Sequence, residues 1–419
     1  MNYKKQVYVI GAGASGMMAA IAAKRNGFQV TILEGMNQAG KKILMTGNGK
    51  CNLSNDVFHF RCYHNENTEF LRNIFSQFTV EQTCQFFEEL GLFITKKNGY
   101  LYPNSMQASS VAKILNDECN QIGIQICYQN KVKEIKKKKN HYLLYTEHKI
   151  YEADIIILAA GSMAYPKTGS DGSGYHLLRK LGCNIIAPLP ALTGLKCKEK
   201  YCKNFAGVRV KGTVYMQIDG KKVAEDTGEI QLTNYGVSGI PIFQISRYAS
   251  RALYAKKKVT VFLDFMSNIN FFELYEIFRK KCNRYPKKTI ADQFVGVLND
   301  KLVNVILETL QLNKNTMSKE ITESVLKKII SKVKKFELHV IGTNGYEQSQ
   351  VCCGGLDIKE VDSKTLQIKK YPGIYVAGEI LNVDGICGGY NLQWAWSSGY
   401  VAGQIQTIKN REGKKYDSN

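Results

Sequence analysis

The stretch Val7–Glu34, VYVIGAGASGMMAAIAAKRNGFQVTILE, constrains this chain more than any other feature. Val7–Ile10 is an apolar run suited to a buried parallel strand, and the loop Gly11-Ala12-Gly13-Ala14-Ser15-Gly16 follows at once. A helix rich in small residues is expected over Met17–Arg25, stopped by Gly27. Phe28–Leu33 reads as a second strand, with Glu34 at its tip. Each loop position has a mechanical reason. Gly11 permits the tight turn, Gly13 lets the backbone approach a pyrophosphate, and Gly16 lets the helix pack on the strand. The helix start, at Ala14, Ser15 and Gly16, would offer N–H groups and partial positive charge to phosphates. Glu34 would accept hydrogen bonds from a ribose diol, which favours an adenosine without a 2′-phosphate. In its strand–turn–helix–strand–acid setting the glycine pattern points to a dinucleotide.

At 419 residues the chain is long for one hydrophobic core, so two or three domains are expected. Lys4-Lys5 ahead of seventeen uncharged residues, Val7–Ala23, imitate a signal peptide, but the glycines interrupt the apolar helix that a signal would need. No other segment approaches a membrane span. Twelve cysteines without regular spacing suggest reduced thiols and a cytoplasmic setting. There is no CxxC pair and no HExxH motif, so neither a dithiol relay nor a metal centre is expected. The net charge of +21 carries two readings: a lysine-rich solvated surface, or a polyanionic partner, most plausibly RNA. Nothing in the sequence bears on oligomeric state.

After Glu34, Gly40–Asn55 (GKKILMTGNGKCNLSN) passes from two lysines into a glycine-rich polar loop with one cysteine, able to wrap the remainder of a long cofactor with backbone donors. This run resembles the signature GRKxxxSGGGRCNxTN of the YhiN-like bacterial flavoproteins, the BaiN/RdsA family of NAD(P)/FAD-dependent oxidoreductases of the two-dinucleotide-binding-fold class. Lys41 and Lys50 stand at arginine positions and Asn48 at a glycine, which removes planar guanidinium forks. The resemblance implies that Lys42, Gly49 and Asn52 contact the cofactor and that the backbone at Val132 meets the adenine.

Helices are expected over Thr68–Phe78, from a Thr79/Gln82 capping box to Leu90, and over Gln107–Ile122. Strands are expected near Gln125–Tyr128 and Lys131–Ile135, leading to the charge run Lys136–Lys139, read as a solvated hairpin tip. Asp154–Leu158 is another buried strand, and Ala159-Ala160-Gly161 resembles the ATG motif that closes the dinucleotide edge in such flavoproteins. Tyr165–Tyr175, a glycine-rich loop into a helix, also matches the family. From about Thr193 the character changes. Val208–Ile218 and Lys222–Leu232 alternate with period two around an Asp219-Gly220 turn, and Lys258–Phe265 reads as a further strand. Helical patterns follow over Phe271–Cys282, Ile290–Leu310 and Ser318–Val333. Thr233–Pro241 resembles the family's FTHxGxSGP loop, expected to face the active site.

The last 80 residues return to the first domain. Gly373–Glu379 is again strand followed by Gly-acid, and a helix is expected over Trp394–Ile408. VAGEILNVDGICGGYNLQWAWSSGYVAG, Val376–Gly403, is the most specific match. It implies that Gly378 and Glu379 hold the ribitol or pyrophosphate, and that N–H groups at Asn391 and Leu392 face flavin O2. The expected architecture is α/β: a discontinuous Rossmann-like FAD-binding domain with a parallel sheet (1–192 and 343–419), and an inserted domain (193–342) with a β-barrel-like antiparallel unit near 193–266 and helices near 267–335.

Gly11–Glu34, Ala159–Gly161 and Gly378–Leu392 converging on one cofactor indicate FAD, since NAD needs only the first. A second Rossmann fingerprint is absent, so NAD(P)H is expected as a transient reductant. The family resemblance implies hydride delivery from flavin N5 to a conjugated C=C, either in a small carbonyl compound or in a uracil of ribosomal RNA to give dihydrouridine. Cys51 is a candidate proton donor or a packing residue of a tight loop; Lys50 and Tyr390 would polarise the substrate carbonyl. A small-amine oxidase and an RNA-binding protein with a structural flavin are the competing readings.

Overall fold

The computed structural model describes residues 5–65 and 67–405. Lys4 and the final residues of the helix expected to reach Ile408 lie outside the described residues. The chain divides into two compact units: Met1–Ser162 with Thr168–Ile186 and Gly354–Asn419, and Met163–Lys167 with Ala187–Cys353. The second is wider at both ends than the expected insert 193–342.

The first unit is built on a five-stranded parallel sheet in the order Ile374–Val376, Ile155–Leu158, Gln6–Ile10, Gln29–Leu33, Gln125–Cys127. Four of these strands are almost wholly apolar and buried, as a sheet covered on both faces requires. The helix Ala14–Arg25 follows the first strand and crosses the C-terminal helix Tyr390–Gly403 on small residues. A Cβ on Gly399 would stand 2.5 Å from the Ser15 carbonyl oxygen, and one on Gly403 2.4 Å from that of Ala19. Larger side chains there would force the helices apart and open the core around Trp394 and Trp396.

The helix expected over Thr68–Phe78 spans Thr68–Phe75. The Thr79/Gln82 capping box is formed, and its helix runs Val80–Glu89. The strand expected over Lys131–Ile135 is instead Glu134–Lys137, hairpinned to Tyr142–Tyr145, with Lys138 and Lys139 exposed at the tip. Val132 sits in the connection before it, buried at 3% exposure. The C-terminal helix begins at Tyr390 rather than Trp394, because Gly389 adopts φ +95° as its N-cap.

The second unit is a closed six-stranded barrel in which every neighbour is antiparallel. Its long hairpin, Arg209–Ile218 and Lys221–Thr233, turns at Asp219 (φ +49°) and Gly220 (φ +81°), the left-handed pair that a two-residue turn demands. Helix Ile240–Tyr254, unanticipated from sequence, starts with Pro241 in its first turn and buries Ile242, Ile245, Ala249 and Ala252. The pattern over Ile290–Leu310 is not one helix. Gly296 at φ +78° breaks it, and Asn299 caps a new helix, Asp300–Thr309, by accepting from Lys301 N at 3.0 Å. Likewise Ser318–Val333 divides at Thr322, which caps Glu323–Lys334.

Candidate dinucleotide-binding site

The site lies in the first unit, at the carboxyl ends of the parallel strands. Gly11, at φ +104°, leaves the first strand so close to the next that a Cβ would stand 2.6 Å from the Ala159 carbonyl oxygen. A Cβ on Gly16 would stand 1.9 Å from the Gly11 carbonyl oxygen, so the helix can seat only on glycine. Gly13 differs: nothing in the protein lies within 4 Å of where its Cβ would be. Its backbone therefore opens onto space, as close approach of a pyrophosphate requires. Met17 N donates to Gly13 O, which leaves the N–H groups of Ala14, Ser15 and Gly16 as the unpaired first turn of the helix.

A second helix start lies further along. Gly389 O accepts from Gln393 N, so Asn391 and Leu392 contribute first-turn N–H groups without intrahelical acceptors. Gly399, the tenth residue of that helix, crosses at Ser15, so at 1.5 Å per residue the two helix starts stand about 13 Å apart along the axis. A ligand touching both must be long. The Asn391 side chain clamps its own loop, accepting from Gly385 N at 2.8 Å and donating to Gly385 O at 2.9 Å. Asn52 bonds the preceding loop to this start: with its amide oriented to satisfy both ends, it donates to Ser54 O at 2.8 Å and accepts from Gly389 N at 3.2 Å.

Glu34 accepts from Ala12 N at 2.6 Å and from Met36 N at 2.7 Å, so its half-buried carboxylate closes on the glycine loop. Burial raises its pKa above the ordinary carboxylate value, partly offset by those backbone donors. The segment carrying Val132 is pinned beside it by Glu34 N to Cys127 O and Asn130 N to Glu34 O. On the other flank, Ala160 and Gly161 are partly exposed. Gly378 fits against Ser15 so tightly that a Cβ would lie 2.3 Å from the hydroxyl oxygen, and its N–H donates to Ser398 Oγ at 2.9 Å. Glu379 Oε2 receives Lys42 Nζ at 2.5 Å and the Ser162 hydroxyl at 3.0 Å. Both Lys42 and Glu379 were expected from sequence; their pairing and Ser162 were not, although Ser162 directly follows the Ala159–Gly161 motif.

The three candidate catalytic side chains occupy different surroundings. Cys51 is fully enclosed at 0% exposure, holds φ +57°, and burial pushes its thiol up to about 12. Tyr390 is 5% exposed, its hydroxyl donates to Val57 O at 2.8 Å, and burial raises its pKa. Lys50 is exposed, next to Gly49, whose Cβ position is open. Sequence reasoning missed two supports. Tyr63 donates to Tyr390 O at 2.9 Å, and the buried Gln393 accepts from Ser54 Oγ at 2.6 Å while donating to Thr83 and Ser397.

These features fit FAD: a glycine turn open to space at Gly13, two helix starts about 13 Å apart, and an acid closing on the glycine loop. Residues 5–405 match the family described as HI0933-like protein Rossmann domain. The chain is 40% identical over 401 residues to the 3-dehydro-bile acid delta(4,6)-reductase of Clostridium scindens, covering 95% of this chain and 98% of that one. It is 28% identical over 408 residues to the ribosomal RNA dihydrouridine synthase of Haemophilus influenzae, with 96% and 98% covered. The ribosomal RNA dihydrouridine synthase of Escherichia coli is 26% identical over 400 residues, with 94% and 96% covered.

Proposed function

The chain belongs to the HI0933-like family and is a flavin-dependent oxidoreductase, and from that footing we propose that it reduces a C=C bond conjugated to a carbonyl, with uracil in ribosomal RNA as substrate. One observation carries the cofactor half of this reading: the open Gly13 backbone lies between an acid and an unpaired helix start, with a second helix start about 13 Å further on. FAD held there would supply a hydride to the electron-poor carbon of the conjugated bond, and the neighbouring carbon would take its proton from solvent. Ala14–Gly16 would hold the pyrophosphate, Glu34 the ribose, and Asn391 and Leu392 the flavin pyrimidine, where their N–H groups would favour negative charge.

The relatives' names share one chemistry, since a Δ4,6 3-oxo steroid and a uracil each present a C=C conjugated to a carbonyl. In this scheme Lys50, an exposed cation, polarises that carbonyl. In this scheme Cys51 shapes the loop, because its thiol is fully enclosed and has no route to a substrate. Tyr390, its hydroxyl given to Val57, positions the helix start. NAD(P)H serves as the transient reductant in this scheme.

The +21 charge favours RNA, because phosphate contacts offset the few kcal/mol needed to unstack a base. The 40% identity along 98% of the bile-acid reductase favours the second reading, a small planar enone. The deciding experiment is anaerobic. The flavin is reduced by NADH or NADPH, and its yellow absorbance is followed after adding ribosomal RNA, free uridine or a panel of enones. Reoxidation by RNA with dihydrouridine formed supports the first reading, and reoxidation by enones alone supports the second. Reoxidation by neither overturns the reductase assignment.

A further inference from the structure

The positive charge is concentrated in the second unit, which holds 28 basic against 15 acidic residues, a net +13 of the chain's +21. Within it, Arg279–Lys288 (RKKCNRYPKK) carries six cations and no acid. Two serve the fold. Arg279 pairs with Glu276 at 2.9 Å, and Lys281 donates to the Gln293 carbonyl. Lys280, Arg284, Lys287 and Lys288 are exposed, and none forms an ion pair with a described residue. The chain brings further cations alongside. Lys319 N donates to Pro286 O at 3.2 Å, and Ala291 N to Lys314 O at 3.4 Å; both of these lysines are exposed.

Acidic relief is slight. Asp292 is turned into its own loop, accepting from Thr289 N at 3.1 Å, and Glu320 is the other carboxylate on these segments. The end of helix Phe271–Arg284 accounts for Lys281 and Arg284, which its C-terminal dipole stabilises. It does not account for Lys287, Lys288 and Lys319, which lie beyond it. In their midst Tyr285 is 40% exposed, its ring 5.4 Å from the Arg284 guanidinium and 4.9 Å from the Lys288 ammonium. The lysine run at 136–139 behaves otherwise, because Lys136 pairs with Glu134 at 3.3 Å and neighbouring Lys133 with Glu147 at 3.1 Å. Unneutralised cations set around an exposed ring cost self-repulsion and match a polyanion with stackable bases.

We infer that the Lys280–Lys288 patch, with Lys319, docks the sugar–phosphate backbone of RNA, and that Tyr285 stacks on an unpaired base. The inference rests on the RNA reading of the substrate and adds a surface to it. Phosphate contacts supply affinity and position without reading sequence, while the ring selects single-stranded over paired segments.

The test uses the FAD-loaded full chain and a labelled stem-loop RNA, comparing wild type with K280E/R284E/K287E/K288E and with Y285A. The charge-reversed variant is expected to bind RNA at least 100-fold more weakly near 0.1 M salt, with a dependence of log affinity on log salt shallower by about 3. Y285A should lose at least 5-fold on the stem-loop and little on a fully paired duplex. Both should keep wild-type flavin absorbance and wild-type thermal unfolding, which shows that they are folded; K287Q/K288Q gives the same sign with less perturbation. Unchanged affinity and salt slope in the charge variants would overturn the patch while leaving the RNA reading standing. Wild-type protein that binds anionic vesicles but no RNA would overturn both.

Discussion

The ammonium of Lys42 stands 2.5 Å from Oε2 of Glu379, joining the loop after the first βαβ unit to the turn after the last parallel strand, 337 positions away. Both side chains are mostly shielded, with 21% and 17% exposure, so the pair acts as a clasp between these two segments rather than a screened surface contact. Lys42→Met leaves the carboxylate with only the Ser162 hydroxyl, and should cost about 2 kcal/mol of stability together with most of the bound flavin. The ratio of flavin to protein absorbance after purification, and thermal unfolding of the FAD-free form, read the two effects separately. Wild-type values for both would remove the clasp from the account.

Gly13 and Gly16 are three residues apart and should fail differently. A methyl on Gly13 meets no protein atom, so Gly13→Ala should unfold like wild type when FAD-free and bind FAD at least tenfold more weakly. A methyl on Gly16 meets the Gly11 carbonyl at 1.9 Å, so Gly16→Ala should destabilise the FAD-free protein by about 2 kcal/mol. Titration calorimetry with FAD and denaturant unfolding make the comparison. Equal loss of stability in both variants would mean that the open space at Gly13 is not where the cofactor comes.

The contrast shows what a sequence carries on its face. The glycine spacing, the Thr79/Gln82 box and the Asp219-Gly220 turn each state a backbone geometry within a few residues, and each was legible. Helix Ile240–Tyr254 was hidden because the family-like loop Thr233–Pro241 drew the reading to a turn, although the buried face Ile242, Ile245, Ala249, Ala252 is plain once Pro241 is taken as a helix start. The break at Gly296 was overridden by an apolar periodicity that continues on either side of it. Lys42–Glu379 and Tyr390–Val57 join residues more than 330 positions apart, and no local pattern announces such partners. The backbone geometry of the glycine loop was thus readable as a motif, while the burial of Cys51 and Tyr390 is something only the fold determines.

Two enclosed thiols give stability a pH dependence. Burial raises Cys51 and Cys119 from 9.0 to about 12 each. Between these values the unfolded chain releases protons that the native chain retains, so stability is fully present below pH 9 and falls as pH rises toward 12, by about 1.4 kcal/mol per pH unit for each thiol. The urea midpoint of the FAD-free protein should therefore drop between pH 8 and pH 10.5, and Cys51→Ala should flatten that slope while retaining substrate turnover. A midpoint independent of pH over this range would contradict the enclosure of both thiols.

Variants of Lys50 and Tyr390 would separate a polarising role from a positioning one. The Tyr390 hydroxyl donates to Val57 O at 2.8 Å and its ring packs edge-on to Tyr63 at 6.0 Å, so it is held by the protein from both ends. Tyr390→Phe removes the hydrogen bonds to Val57 O and with the Cys62 thiol and keeps the ring, and should cost about 1 kcal/mol of stability with unchanged flavin content and unchanged rate. Lys50 is exposed and makes no ion pair with a described residue, so its replacement should leave the fold and the flavin in place. If its ammonium stabilises negative charge developing on the substrate carbonyl, Lys50→Gln should slow reoxidation of the reduced flavin about 100-fold, with little change in half-saturation. Stopped-flow reoxidation under anaerobic conditions separates the two variants. A large rate loss in Tyr390→Phe with none in Lys50→Gln would transfer the polarising role to the tyrosine.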